Sequence, residues 1–386
     1  MEHVRTRVAL LGSTGSIGRS VLDVVAAHPG RFELVAMTAN RNTALLAEQV
    51  SRFGCPLVVV SDEADTAPLP SGVRVRRGAG ALADVAALPE ADIVVNALVG
   101  MSGLAPAAAA IEAGKRLALA NKESLVVAGG ILTRRRAQTG AEIMPVDSEH
   151  SSLQRCLVGR APGEVARLIL TASGGALRNH SRSELARVTV EDVLNHPTWD
   201  MGPKVTVDSA TLVNKAFEVI EARWLFGIPQ ERIDVVLHAQ SLVHCFVRTT
   251  DGSLISHISD PDMRVPIQNA LFAPDAPPTE ISRRRAWELG RLDFEPVDTD
   301  RYPCFSHVLE AGRRGGTAPA IVAAADEVAV SAFVSGKIPF DRIRTVIATT
   351  SETVKPVETD SLDDIVRADT EARRAASAIV DAVSRD

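Results

Sequence analysis

The chain begins with an unbroken apolar run, Val8-Ala9-Leu10-Leu11, which predicts a buried strand. Residues 16–27 place apolar side chains at helical spacing and stop at His28-Pro29-Gly30, so a helix is expected there. The alternation continues with a strand at 32–37, a helix at 43–53 and strands at 57–60, 93–97 and 116–120. Strands that alternate with helices predict a mostly parallel sheet covered on both faces. The pattern then changes. Strands are expected at 165–170, 233–237, 242–248 and 254–258, with Thr249-Thr250-Asp251-Gly252 as the turn between the last two. Close succession of strands predicts an antiparallel or mixed sheet. A proline-rich loop follows at 274–278, and helical spacing then dominates at 306–311, 318–335, 340–349 and 361–383.

Gly12-Ser13-Thr14-Gly15-Ser16-Ile17-Gly18 lies between the first strand and the first helix. Glycines let the backbone approach a pyrophosphate, and the helix N-terminus offers N–H donors and positive dipole. The strand-loop-helix setting makes this motif far more specific than its spacing alone. The second strand runs out into Thr38-Ala39-Asn40-Arg41-Asn42, with no acid and one arginine. An acid there would favour NAD, so the cation favours NADP. The expected fold class is α/β. It combines an N-terminal Rossmann-type dinucleotide-binding domain (1–150), a central α+β domain (151–285), a linker (286–305) and a C-terminal helical bundle domain (306–386).

Val146-Asp147-Ser148-Glu149-His150 places two carboxylates two residues apart. On an extended segment they face the same side, with His150 turned away. Helix capping ahead of residues 153–157 is the competing reading. A third carboxylate, Glu218, sits in a segment read as one helix capped by Asp208 or Ser209. Asn214 and Glu218 share a face there, and Lys215 and Glu218 are neighbours; taken alone, the pair reads as an exposed ion pair. Three carboxylates without cysteine or histidine spacing suit magnesium or manganese better than zinc. Thr171-Ala172-Ser173-Gly174-Gly175 is either a plain turn or a phosphate-binding one. Residues 195–204 form a loop bounded by prolines, in which Trp199 and Met201 belong either to the core or to a lid over substrate.

Composition narrows the partners. The 386 residues are 46% hydrophobic and 23% charged, with a formal net charge of -6. That balance disfavours nucleic acid, which needs a basic stripe. No apolar run reaches the roughly 18 residues of a membrane helix, and the first residues show no signal-peptide pattern. Cys55, Cys156, Cys245 and Cys304 form no CxxC pair, which fits a reducing cytoplasm.

The motifs in order resemble the 1-deoxy-D-xylulose 5-phosphate reductoisomerase family. The resemblance runs through residues 11–18, 119–125, 145–151, 196–202 and 207–226, then Gln240-Ser241, Pro261-Asp262-Met263-Arg264 and Arg301-Tyr302-Pro303. It implies a homodimer that converts a phosphosugar with NADPH and one Mg2+ or Mn2+ per subunit. It implies Asp147, Glu149 and Glu218 as metal ligands, with Lys122 near the reacting oxygens. Ser148, Ser173, His196, Ser209, Asn214 and Lys215 are implied as substrate contacts, beside Glu149 and Glu218. His196, Trp199 and Met201 are implied as the lid. The implied cofactor contacts are Thr14, Gly15, Ser16, Ile17, Asn40, Arg41, Asn42, Asn121, Lys122, Glu123, Gly202 and Met263. The chain departs from the family pattern at Ala176, Leu177, Ala239, Ala323 and Asp326, which touches turn rigidity and packing more than chemistry.

Two other readings stand beside it. One is another NADP oxidoreductase of the aspartate-semialdehyde dehydrogenase kind, which needs a thiolate such as Cys156, here in an apolar helical setting. The other is an NADPH-binding scaffold without turnover.

Overall fold

In a computed structural model, the chain is described over residues 5–62, 68–275, 277–279, 281 and 283–385. Within those limits it forms two compact units. The first takes in Met1–Ser124, Leu132–Ser151 and Asp262–Arg283, and the second Leu125–Ile131, Ser152–Pro261 and Arg284–Asp386.

The first unit is built on seven strands: β1 Thr6–Leu11, β2 Phe32–Ala39, β3 Leu57–Val60, β4 Arg74–Arg77, β5 Ile93–Asn96, β6 Arg116–Leu119 and β7 Glu142–Pro145. All pair in parallel, in the order β4-β3-β2-β1-β5-β6-β7. The helices between them are α1 Ser16–Ala27, α2 Thr43–Phe53, α3 Gly80–Ala86, α4 Leu104–Glu112 and α5 Lys122–Thr139. Strand order reverses between β1 and β5, and in open α/β sheets ligands bind at that crevice. Val8, Leu10, Val58 and Val60 are wholly buried, as the apolar runs require of a sheet covered on both faces. β4 and β7 are additions to the expected series; Arg74, Val75, Arg76 and Arg77 are all exposed, so β4 carries no buried apolar signature.

Helix α5 is also an addition. Its first and last residues belong to the first unit and 125–131 to the second. Ala128 leaves helical geometry (φ -136°, ψ 19°) just before Gly129-Gly130. A Cβ at Gly129 would lie 2.1 Å from Trp224 Cδ1, so the indole occupies the space a side chain would need. A glycine pair in mid-helix hides the helical signal.

The second unit carries β8 Val165–Ala172, β9 Ile233–Leu237, β10 Val243–Thr249, β11 Leu254–Ile258 and β12 Glu295–Pro296. They form a mixed sheet, β11-β10-β8-β9-β12, in which only β8 and β9 run parallel. Helices α6 Ser148–Leu157, α7 Val190–Leu194, α8 Pro203–Thr211 and α9 Val213–Phe226 precede or interrupt these strands. Leu153, Leu168, Leu170, Val219 and Val247 meet in one apolar core. Helix α10, Arg264–Phe272, returns to the first unit and packs against α1. Four helices complete the second unit: α11 Pro303–Arg314, α12 Ala318–Val334, α13 Arg342–Thr353 and α14 Leu362–Val383. α12 lies against both α13 and α14, as a small bundle requires.

The architecture is therefore α/β, with a Rossmann-type N-terminal part, a mixed-sheet α+β part and C-terminal helices. Two local expectations are corrected. Residues 208–218 are two helices, not one, and Asp147 to His150 are not an extended segment but the entry to α6. Ala276 in the proline-rich loop and the first four residues lie outside the described residues. Among the described residues, no helix is long and apolar enough to cross a membrane.

Candidate active site

In the first unit, the glycine loop is held from three sides. Gly12 has φ +84°, and a Cβ there would lie 2.7 Å from the carbonyl oxygen of Ala97, just past β5. Its N–H donates to Thr38 Oγ1 at 2.9 Å. Ser13 is buried, donates to Gln49 Oε1 at 2.7 Å and accepts at its carbonyl from Gln49 Nε2 at 3.0 Å. Gly18 sits so close to the loop that a Cβ would lie 2.2 Å from Gly12 O. Gly15 begins α1 with no side chain bonded across the helix start. Thr14, Gly15, Ser16 and Ile17 thus frame a helix N-terminus at the switch point of the sheet, an arrangement that suits a pyrophosphate.

Asn40, Arg41 and Asn42 follow β2. Asn42 accepts from Leu45 N–H at 3.2 Å and caps α2. Arg41 is 81% exposed and its Nε donates to Asp62 Oδ2 at 2.7 Å. The residues at the end of β2 give no sign of that acid. Asp62 is distant in sequence but follows β3, which pairs with β2, so the parallel order carries the signal.

Asn121 is buried and fully engaged. Its Oδ1 accepts from Ser124 N–H at 3.1 Å, and its Nδ2 reaches Leu98 O, Gly100 O and the Glu123 carboxylate at 3.0–3.1 Å. It fixes the loop after β5 to the start of α5. Lys122, next in line, forms an ion pair with Asp147. Asp147 is 8% exposed, and its other oxygen accepts from Glu149 N–H at 3.3 Å. The capping and charge roles therefore coexist. Ser148 donates to the Glu149 carboxylate. His150 does not turn away as strand alternation implied; it is wholly buried, with Nδ1 3.9 Å from Asp147 Oδ1. A helical turn puts i and i+3 on one side, which explains the difference. Met263 precedes α10 and packs partly buried against the core of this unit.

In the second unit, Ser173 follows β8. Its Oγ lies 2.9 Å from His196 Nε2 and accepts from Gly175 N–H at 3.2 Å. Thr198 and Trp199 N–H groups both donate to His196 Nδ1, at 3.1 and 3.0 Å. Nδ1 is thus an acceptor, so the ring proton sits on Nε2 and donates to Ser173. Burial, and then the nearby Arg178 charge, hold the imidazole pKa below its ordinary value and keep it neutral. One histidine therefore ties the loop carrying Trp199 and Met201 to the serine turn. Trp199 and Met201 are half-buried, and the indole centre lies 6.4 Å from the ring of His244. Gly202 begins α8 with Pro203 at its first position.

Gly174 and Gly175 have φ +80° and +71°, and a Cβ at Gly175 would lie 2.5 Å from Ala210 Cα. The serine turn is thereby pressed on the end of α8, next to Ser209. Leu212 then adopts a left-handed conformation (φ 59°, ψ 13°), a strain worth roughly 1–3 kcal/mol that breaks the segment into α8 and α9. Asp208 and Ser209 consequently end a helix rather than cap one. Asn214 and Lys215 fall on the first turn of α9, where the dipole favours an anion. Asn214 Nδ2 donates to Glu218 Oε1 at 2.5 Å and Lys215 pairs with the other oxygen. The pair is not exposed as its sequence reading had it: Lys215 is 4% and Glu218 1% exposed. Sequence reasoning also passed over Lys204, which pairs with Asp208 and, at 2.8 Å, with the buried Asp326.

Of the departures from the family pattern, Asp326 is this partner of Lys204, and Ala176 and Leu177 directly follow the serine turn. Leu177 is buried and its carbonyl accepts from Arg301 at 2.6 Å, while Ala323 is packed inside the helical part. Cys156, the thiol of the semialdehyde dehydrogenase reading, is buried in the apolar core beside Cys245.

Family models match residues 8–129 (1-deoxy-D-xylulose 5-phosphate reductoisomerase), 143–226 (its C-terminal domain) and 258–375 (DXP reductoisomerase C-terminal domain). The 1-deoxy-D-xylulose 5-phosphate reductoisomerase of Halalkalibacterium halodurans is 46% identical over 371 residues, covering 95% of this chain and 97% of that protein. That of Moorella thermoacetica is 47% identical, covering 98% and 99%. Among solved structures, the Zymomonas mobilis reductoisomerase in complex with NADPH superposes with a TM-score of 0.90 at 38% identity, covering 98% and 99%. A DOX-P reductoisomerase in complex with NADPH, fosmidomycin and magnesium gives 0.89 at 32% identity, covering 97% and 98%. With relatives this similar over nearly its whole length, the chain belongs to the 1-deoxy-D-xylulose 5-phosphate reductoisomerase family.

Proposed function

We propose that this protein rearranges and reduces 1-deoxy-D-xylulose 5-phosphate to 2-C-methyl-D-erythritol 4-phosphate, a step of isoprenoid precursor synthesis by the methylerythritol phosphate route. NADPH supplies the hydride and Mg2+ or Mn2+ the Lewis acid that polarises the substrate's carbonyl and hydroxyl oxygens. Asp147, Glu149 and Glu218 are the proposed ligand set. Their oxygen donors suit a hard cation, and two of them, Asp147 and Glu218, are buried carboxylates with cationic side chains already beside them.

The chain's own groups divide the work. Ser173, Ser209, Asn214 and Lys215 hold the phosphate, which sits at the first turn of α9. His196 donates through Nε2 and draws the loop of Trp199 and Met201 over the sugar. Binding energy from the phosphate closes that loop, excludes water and aligns the carbons. Lys122 and Ser148 orient the oxygens as the C3–C4 bond breaks and the C2–C4 bond forms. Thr14, Gly15, Ser16, Ile17, Asn40, Arg41 and Asn42 hold the dinucleotide, with Asn121, Glu123, Gly202 and Met263 framing its nicotinamide end. We assign these tasks to three parts, a dinucleotide-binding part, a central catalytic part and a helical part. Exposed Leu254, Ile258, Trp287 and Phe294 of the second unit support assembly as a homodimer. A reducing cytoplasm fits the four buried free thiols.

The observation that carries this reading is the buried Lys215–Glu218 pair with Asn214 on the same carboxylate. The first turn of α9 thereby offers donors and positive dipole to a phosphate and, on the same face, a carboxylate oxygen to a hard cation. The test is NADPH consumption with 1-deoxy-D-xylulose 5-phosphate, with and without a chelator. Turnover is expected only with a divalent ion. Glu218→Gln should lower it at least about a hundredfold; full turnover in that variant at limiting metal would refute the ligand set.

A further inference from the structure

The second unit holds a cleft of about 490 Å³ that uses none of the residues assigned above. Leu185, Pro303 and Ala348, all half-buried, give it an apolar lining. Arg182, Arg301, Arg342 and Arg344 also line it, against only two acids, Asp300 and Asp341. The cleft is thus formally +2 in a chain whose net charge is -6. Among the described residues, none of the four guanidinium groups forms an ion pair. One of them is held in advance: Arg301 donates through Nη2 to Leu177 O at 2.6 Å and lies 5.5 Å from the Tyr302 ring centre. Its Nε is buried without a hydrogen-bond partner.

We propose that this cleft binds an organic phosphate or diphosphate ester carrying a short hydrocarbon chain. Guanidinium groups match phosphate oxygens in geometry, and several lining one cleft favour more than one negative charge. A bare inorganic anion would leave the apolar lining uncovered. A neutral apolar molecule would leave the arginines without counter-charge. The volume lies within the range of small-ligand pockets, roughly 300–1,000 Å³. The local reversal of sign attracts an anion that the rest of the surface repels.

Calorimetric titration of the full chain with hexyl diphosphate, pyrophosphate and hexanol tests this. Hexyl diphosphate should bind at least about tenfold tighter than pyrophosphate, and hexanol not measurably. Arg182 and Arg344 are exposed, so Arg182→Ala with Arg344→Ala keeps the fold and should weaken hexyl diphosphate about tenfold or more. Asp341→Asn, also at an exposed position, should tighten it. Asn214→Ala, which removes a proposed phosphate contact without leaving a buried charge unpaired, should leave it unchanged and so separate the cleft from the phosphate site on α9. Equal binding of pyrophosphate, an unaltered affinity in the double arginine variant or in Asp341→Asn, or loss of binding in Asn214→Ala would each overturn the proposal.

Discussion

Arg41 shows what one position tells in sequence and what it leaves out. Its place after β2 was visible in sequence, but Asp62 beside it was not, because that contact depends on which strand pairs with β2. Arg41 is 81% exposed, so the ion pair contributes little to stability, and the proposed contact with a 2′-phosphate has a direct test. Arg41→Asp should therefore raise the KM for NADPH at least about tenfold while changing that for NADH little. Steady-state kinetics with both coenzymes decides the matter, and equal weakening would remove the phosphate role. His257 gives a second residue-scale expectation. Burial chiefly, with His244 and Arg155 adding, holds its pKa down to about 4, against an ordinary 6.5. The unfolded chain binds that proton more readily, so stability is undiminished above pH 6.5 and falls as pH drops towards 4. Urea midpoints across that window should decline, and His257→Gln should flatten the decline; an unchanged slope would show that other groups cause it.

At the scale of elements, agreement and failure have physical causes. α1 and α2 were predicted over 16–27 and 43–53, and the structure gives Ser16–Ala27 and Thr43–Phe53, because each bears one apolar stripe and ends at glycine or proline signals. β9 and β11 were likewise predicted over their whole lengths. The break at Leu212 could not be foreseen, since a leucine with positive φ has no local signal; the surrounding packing imposes it. α5 was missed for the opposite reason. Its central glycines argue against a helix locally, and only Trp224, far along the chain, shows what they are for. Gly129→Val should destabilise the protein by about 1–3 kcal/mol, through collision with the indole. Gly18→Ala should be at least as harmful and should also weaken dinucleotide binding, since its Cβ would meet backbone rather than a side chain that can move. Chemical denaturation measures both, and wild-type stability in either variant would contradict the close approach.

For the molecule as a whole, the expected class held: a parallel sheet first, a mixed sheet next, helices last. The expected homodimer has its own test. Sedimentation should show twice the mass of one chain, and charged replacements at Leu254 and Ile258 should shift it towards the single chain; a monomeric wild type would remove that assembly.

The sequence by itself determined the alternation of elements, the glycine loop and the set of carboxylates, lysines and serines, because local patterning and side-chain chemistry need no knowledge of distant neighbours. Tertiary structure alone decided that Lys215 and Glu218 are buried, that Asp147 opens a helix with His150 at its back, and that His196 holds its proton on Nε2. Each of those depends on the surroundings of a group, on solvent excluded and partners supplied by segments remote in the chain, and such surroundings exist only once the chain has folded.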